Sequence, residues 1–348
     1  MSVLAVLTLR NEGAFLLDWL AHHLATGFTH VLAFTNDCQD GTDAMLDRLQ
    51  EMGHVTHIRN EGPYDRRGIQ FTAFNTAHKL EAMRTAKWVL AMDIDEFVNV
   101  RTGDGTLTDL WAALPEATAI PLTWRIFGNG GVIEYEDRPV PDIFTACAPE
   151  RLGWPWRASM FKTLYLNDGT YHKLGVHRPR LPRPGRIDDA RWFDGSGRPL
   201  PQEFKTSRIF SAPGQDNHAL VQLNHYPLGA MESFIVKADR GRVNVTAPLG
   251  MDYWVERNFA ADTDTSIARL APRTAVERAR LGEDAELSRL HAQAVAWRKN
   301  RFDVLMQDEH YRSLFGRLMM TPPSRVLSPQ NADRILRHAL KARAARSS

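Results

Sequence analysis

The sequence predicts an α/β fold of nucleotide-binding type, with a mainly parallel central sheet and a helical C-terminal extension. Three observations predict it. Apolar runs of strand length recur through the first hundred residues. Segments of helical period separate them, joined by short links. From about residue 274 the pattern turns strongly helical.

Residues 2–8 are an unbroken apolar run, as in a strand covered on both faces. Residues 14–25 place Phe15, Leu16, Trp19, Leu20, His23 and Leu24 at helical spacing, and Gly27 ends the pattern. His30–Thr35 reads as a second strand. Residues 42–52 carry Met45, Leu46 and Leu49 on one helix face, and Gly53 stops them. A third strand follows at 54–58, a long helix at 69–86 and a fourth buried strand at 87–92. Such repetition with short connections implies right-handed crossovers and parallel pairing. A helix at 106–114 and a strand at 117–123 come next. Residues 128–157 and 178–202 are rich in Gly, Pro, Trp and Arg and read as long loops around a site. Strands are expected at 159–166 and 219–225, and helices at 231–241, 274–300 and 331–346.

The bulk composition narrows the function. Among 348 residues, 43 Lys and Arg balance 41 Asp and Glu, so no nucleic-acid partner is expected. Two cysteines, Cys38 and Cys147, argue against a disulfide framework and for a reducing compartment. The first residues reach Arg10 and Glu12 too soon for a signal peptide, and no run of about 18 apolar residues occurs. A cytoplasmic enzyme is the simplest expectation.

The sharpest chemical signal is Asp93-Ile94-Asp95-Glu96 at the end of the fourth strand. Unpaired buried carboxylates are costly, so such a cluster is solvated, paired or bound to a cation. Ligands of open parallel sheets bind beyond the carboxyl ends of the strands, where this cluster falls. Two carboxylates one residue apart can share Mg²⁺ or Mn²⁺ and leave positions for diphosphate oxygens. The bland alternative is capping or pairing with Arg. On the same sheet edge lie Thr8, Arg10, Asn11 and Glu12 after strand one, and Asp37, Asp40 and Thr42 after strand two. Asn11, Asp40 and Thr42 read equally as helix caps and as ligand contacts. Asp37 suits a nucleoside base or ribose, and Arg10 suits phosphate. Arg66, Arg67 and Gln70 open the long helix, where an anion would be welcome. No dinucleotide or P-loop glycine pattern is present.

Together these stretches resemble family 2-like glycosyltransferases, most closely the branch related to family 92. The resemblance is carried by Arg10-Asn11-Glu12-Gly13 with Leu16, Trp19 and His23, by Asn36-Asp37-Cys38 with Asp40-Gly41-Thr42, and by Asp93-Ile94-Asp95-Glu96-Phe97. Trp124 with Phe127-Gly128, Phe161-Lys162-Thr163, His177 with Pro179, Asn224-His225-Tyr226, Glu232-Ser233-Phe234, Lys237 and Arg240-Gly241 continue it across residues 3–242. The resemblance implies a GT-A fold over residues 1–245, with a nucleotide-binding half at 1–125 and an acceptor half at 126–245. Residues 246–348 form a helical C-terminal region without matching motifs.

It also implies a nucleotide-sugar donor, a divalent metal, Mn²⁺ or Mg²⁺, and inversion at the anomeric carbon. Asp93 and Asp95 carry over as metal ligands, completed by His225 or, as second choice, His177. Thr8, Arg10, Asn11, Glu12, Asp37, Arg67, Gln70, Lys162 and Asp93 are the candidate donor contacts. The chain lacks the common D-D-x-S-x-D-G-T run and a clear base motif, leaving Asp216, Glu150 and Glu96 as candidates for the general base.

Some readings stay open on sequence alone. Lys237 and Arg240 share a helix face, read as diphosphate-binding or water-facing. Trp124, Trp154 and Trp156 are core or sugar-stacking. Gly128–Gly131 is a closing loop or a plain turn. Residues 331–346, a basic helix, read as a solvated terminal helix or as a peripheral membrane contact suited to a lipid-linked or glycan acceptor in cell-envelope synthesis. The rival functions are a nucleotidyltransferase, whose glycine-rich phosphate loop is missing, and a carbohydrate-binding or assembly protein on a degenerate transferase fold.

Overall fold

The computed structural model describes residues 1–64, 66, 68–212, 214–241 and 249–345, the side chain of Arg343 excepted. Arg67 therefore lies outside the described residues, as does Arg346.

Eight strands form one sheet: β1 (Val3–Leu9), β2 (His30–Thr35), β3 (Val55–Arg59), β4 (Trp88–Ala91), β5 (Glu96–Val100), β6 (Ala119–Ile126), β7 (Phe161–Leu166) and β8 (Val221–His225). Their order is β3-β2-β1-β4-β7-β6-β8-β5. The first four are parallel neighbours, and β6 and β8 are also parallel. β7 runs against both β4 and β6, and β5 runs against β8. The α/β class and mainly parallel sheet are as expected.

Helices α1 (Gly13–Thr26) and α2 (Thr42–Glu51) follow the first two strands. α1 buries nearly its whole surface, including Leu16, Trp19, Leu20, His22 and His23. A helix apolar all round needs cover on more than one side. The sheet covers one side of it and the C-terminal helices cover another.

The long helix expected at 69–86 is two, α3 (Ile69–Ala77) and α4 (Glu81–Thr85). Leu80 is extended between them, and the His78 ring accepts a hydrogen bond from the Leu174 N–H at 2.7 Å. α5 (Leu107–Ala113) begins at a Thr106–Asp109 capping box. α6 (Met231–Arg240) follows β8. The helix expected at 274–300 is also two, α7 (Ala271–Gly282) and α8 (Ala285–Leu305). Asp284 caps α8 by accepting from the Leu287 N–H, and it also pairs with Arg48 of α2. α9 (Glu309–Met320) and α10 (Pro329–Ala345) end the described chain. Leu281, Leu287, Leu290 and Ala294 join the main apolar cluster with β1, α1 and α2, so the C-terminal helices share the core of the sheet.

Candidate functional site

β4 delivers the acidic residues to the carboxyl edge of the sheet. The chain turns at 93–95 and returns as β5, a strand absent from the sequence reading. Glu96 is thus the first residue of a buried strand rather than part of a solvated acidic run, and it is fully buried. One of its oxygens accepts from the Asp93 N–H at 2.8 Å, and the other accepts from the Trp124 indole at 2.7 Å. Burial pushes its carboxyl up to about 8. One oxygen holds the turn and the other holds Trp124, so the geometry gives Glu96 a structural role.

Each acid of the turn has its own lysine. Lys162 on β7, only 1% exposed, donates to Asp93 at 2.9 Å and lies 3.5 Å from Glu96. It is a buried strut under the turn. Lys237 on α6 donates to Asp95 at 2.7 Å and to the Pro227 carbonyl at 2.8 Å. Three residues further on, Arg240 pairs with Glu12 and donates to the Arg10 carbonyl at 2.6 Å. The water-facing alternative for Lys237 and Arg240 is overturned: α6 points both cations inward, against the loop after β1 and the acidic turn.

His225 ends β8 and brings its Nε2 to 3.6 Å from Asp95 Oδ1. That is too long for a hydrogen bond. Its Nδ1 is buried without a partner among the described residues. Burial lowers the pKa of this imidazole, with Asp95 opposing, so the neutral ring is favoured. Trp124 lies 4.5 Å from the His225 ring and 5.8 Å from that of His177. The tryptophan is a packing wall between the two histidines, its indole N–H used by Glu96. His177 bonds the Phe161 carbonyl through Nδ1 at 3.0 Å, and burial pushes it down to about 4. His225 therefore faces the acidic turn, and His177 lies near enough to feel the charges of Lys162 and Asp93.

The loops after β1 and β2 are clasped together. Asp40 accepts from the Gly13 N–H and from both the N–H and hydroxyl of Thr42, while Thr42 accepts from the Glu12 N–H. These contacts settle Asp40 and Thr42 as structural. Asn11 accepts from the Gln39 N–H at 2.7 Å. Asn11 and Asp37 both have positive φ, 53° and 49°, which Asn and Asp tolerate better than most residues. Asp37 remains exposed. Thr8 and Arg10 are half-buried at the same edge, and the Arg10 Nε is buried without a partner among the described residues. Tyr64, which sequence reasoning missed, stands close enough to Asp37 and Arg10 to feel both charges. Gln70 is buried in the first turn of α3.

The two other base candidates lie elsewhere. Asp216 caps a turn before β8 by accepting from the His218 N–H. The five residues Val221–His225 separate that end from Asp95, roughly 17 Å of strand. Glu150 pairs with Arg101 at 2.9 Å and lies 3.9 Å from Arg125, whose side chain alternates with that of Trp124 across the sheet. Neither stands beside the acidic turn. Trp154 and Trp156 pack on each other at 4.7 Å. Gly128 lies so close to Phe259 that an added Cβ would meet its carbonyl oxygen at 2.1 Å, so this segment is a pinned turn and not a free flap.

Residues 3–146 match the family described as Glycosyltransferase family 92. A glycosyltransferase family 92 protein of Oryza sativa subsp. japonica is 26% identical over 149 residues, 41% of this chain and 24% of that protein. Another from Ricinus communis is 28% identical over 96 residues, 27% of this chain and 16% of that protein. The chain thus aligns with a quarter or less of these relatives' lengths. Among solved structures, S. aureus TarS 1-349 in complex with UDP-GlcNAc is 14% identical, with a TM-score of 0.35 over 88% of this chain and 84% of that one.

Proposed function

We propose, from the family 92 glycosyltransferase match of residues 3–146, that this chain transfers a sugar from a nucleotide-sugar donor to a hydroxyl acceptor. One observation carries the reading: Asp95, His225 and Lys237 converge from three separate elements at the carboxyl edge of the sheet, next to Glu12 and Arg240. The donor nucleoside lies across the ends of β1 and β2, with Asp37 at its polar edge and Tyr64 as an aromatic surface. Arg10, Lys237 and Arg240 meet the diphosphate. Lys162 keeps Asp93 oriented and Glu96 keeps the turn closed. The acceptor approaches from the side of residues 126–245, and transfer inverts the anomeric centre.

A divalent cation is part of this proposal, and the donor chemistry suits one. A neutral imidazole nitrogen and a carboxylate oxygen 3.6 Å apart, not hydrogen-bonded to each other, are spaced as two ligands of one ion are. Among the described residues no third His, Cys, Asp or Glu completes a set of three. Ions such as Mn²⁺ and Mg²⁺ commonly fill the remainder of their shell with phosphate oxygens and water. Asp95 and His225 would hold the ion with Asp93 alongside, and it would neutralise charge on the departing nucleoside diphosphate.

Thermal unfolding with UDP, GDP, CDP and TDP, each with and without Mn²⁺, tests the reading. One nucleotide at 100 times its Kd is expected to add about 2.7 kcal/mol of stability. The increment is expected to vanish in Asp93→Asn/Asp95→Asn, and turnover is expected to release nucleoside diphosphate rather than pyrophosphate. A folded protein that no nucleotide stabilises would sink the proposal. No helix among the described residues is long and apolar enough to cross a membrane. For α10 the proposal includes peripheral contact with an anionic membrane surface, where a lipid-linked acceptor would reside.

A further inference from the structure

Beside the acidic turn the site opens into a cavity walled largely by Phe15, Val132, Tyr135, Ile143, Phe144 and Leu228. Asp95, Glu12, Lys237, Arg240 and Arg298 supply polar lining. Of its four cations three are matched, Lys237 by Asp95, Arg240 by Glu12 and the exposed Arg138 by Glu136, and the exposed Glu134 also lines it.

Arg298 of α8 is not matched. It is 6% exposed. Its Nε donates to the Ser233 hydroxyl at 3.3 Å and its Nη2 to the Ser233 carbonyl at 3.1 Å. The guanidinium carbon lies 4.4 Å from the Phe15 ring centroid and 5.6 Å from that of Tyr135. Its Nη1 has no acceptor among the described residues, and no carboxylate among them comes within the 4.0 Å of an ion pair. The carbonyl and ring faces offset part of the cost of burying this charge. They do not supply a counter-charge, which buried cations ordinarily have. Guanidinium is also the side chain best shaped for a planar carboxylate or a phosphate.

We propose that this cavity is a subsite for an anionic oxygen group, a carboxylate or a phosphate, borne on a sugar ring, with Arg298 as its counter-charge. The inference rests on the transferase reading and adds a substrate class: one of the two substrates carries an acidic group besides the donor diphosphate. The acidic sugar is either the one transferred or part of the acceptor. In both cases the apolar walls pack against the ring and Arg298 selects the acid. Arg298 lies outside the segment matched to the family, whereas Phe15, Val132, Tyr135, Ile143 and Phe144 of the cavity wall lie inside it.

Isothermal titration of the full chain tests this with matched acidic and neutral probes. The donor arm compares UDP-glucuronate with UDP-glucose in the presence of Mn²⁺. The acceptor arm compares glucuronate and glucose 6-phosphate with glucose, after saturation with UDP. In one arm the acidic probe is expected to bind at least tenfold more tightly than its neutral partner. In Arg298→Gln that preference is expected to fall within twofold while UDP affinity is unchanged, and Arg298→Lys is expected to retain part of it. The arm that responds identifies the source of the acid. Arg298→Gln is expected to melt no lower than the parent without ligand, since it removes an unmatched buried charge. The proposal is overturned if neither acidic probe is preferred by the unaltered protein, which needs no variant. It is equally overturned if Arg298→Gln weakens UDP itself as much as the acidic probes. Absence of UDP binding alongside an Arg298-dependent preference for glucuronate or glucose 6-phosphate would exclude UDP as the donor nucleotide and leave the subsite standing.

Discussion

Asp18, on α1, shows what a single buried acid does to this protein. One oxygen accepts from the Val140 N–H at 2.9 Å, and the other is buried without a partner among the described residues. Burial pushes its pKa up from 3.8 to about 6, with the Val140 hydrogen bond opposing. A carboxyl raised on folding favours the native state while it is protonated. Its contribution is fully present below the unfolded pKa, near 4, and is lost as pH rises through about 6. A shift of this size amounts to about 3 kcal/mol. Asp18→Asn keeps an acceptor for Val140 without the charge. Urea midpoints measured between pH 4 and 7 are expected to decline in the parent and stay flatter in Asp18→Asn. Parallel declines would mean that Asp18 does not carry the effect. At this scale the sequence exposed Asp93 and Asp95, because acids rarely follow a buried strand without cause. It hid their partners, since Lys162 is 69 residues from Asp93 and Lys237 is 142 from Asp95. Only the fold brings those charges together.

Packing between elements turns on a glycine at the start of α1. An added Cβ at Gly13 would lie 2.8 Å from the Ala294 Cβ of α8 and 3.2 Å from Met45 Sδ of α2. In an unhindered helix, Gly→Ala gains roughly 0.5–1 kcal/mol. Here three helices close on the position, and overpacking costs about 1–3 kcal/mol. Gly13→Ala is therefore expected to destabilise. Ala294→Gly, harmful by itself through a small cavity and helix propensity, is expected to rescue part of that loss in the double variant. A coupling below about 0.5 kcal/mol in the double-mutant cycle would refute direct contact as the cause. The same elements show what periodicity conveys and omits. α1, α2 and the parallel strands follow their sequence patterns because their buried residues recur at the helical or strand period. β5 escaped because Glu96 and Asn99 interrupt its apolar run, yet both are satisfied by tertiary partners: Trp124 for Glu96, and Asn224 with Ser266 for Asn99. The α7–α8 break escaped because Asp284 is compatible with a helical pattern until its capping role and its Arg48 partner are seen.

Across the whole molecule, the candidate site draws on the family-matched segment and on residues well beyond it. Asp95 and Glu12 lie within residues 3–146, while His225, Lys237, Arg240 and Arg298 lie outside. α10 stands apart from this convergence. It buries Ala332, which packs near Gly153, but leaves Leu336 and Leu340 44% and 57% exposed. Arg334, Arg337 and Lys341 accompany that apolar pair, and Asp333 already binds Arg337. An exposed i,i+4 leucine pair among cations suits the boundary of an anionic bilayer. Each free Lys or Arg contributes about 1 kcal/mol near such a surface, an attraction that fades within a Debye length. Two weak contributions of different character make a distinctive prediction. The protein is expected to co-sediment with vesicles containing anionic lipid at low salt and to leave them at high salt. Leu336→Ser/Leu340→Ser is expected to reduce binding at every salt concentration, whereas Arg334→Gln/Lys341→Gln should chiefly flatten the salt dependence. Recovery of the protein in the supernatant with anionic vesicles at low salt would exclude membrane contact through this helix and leave its leucines to another protein surface.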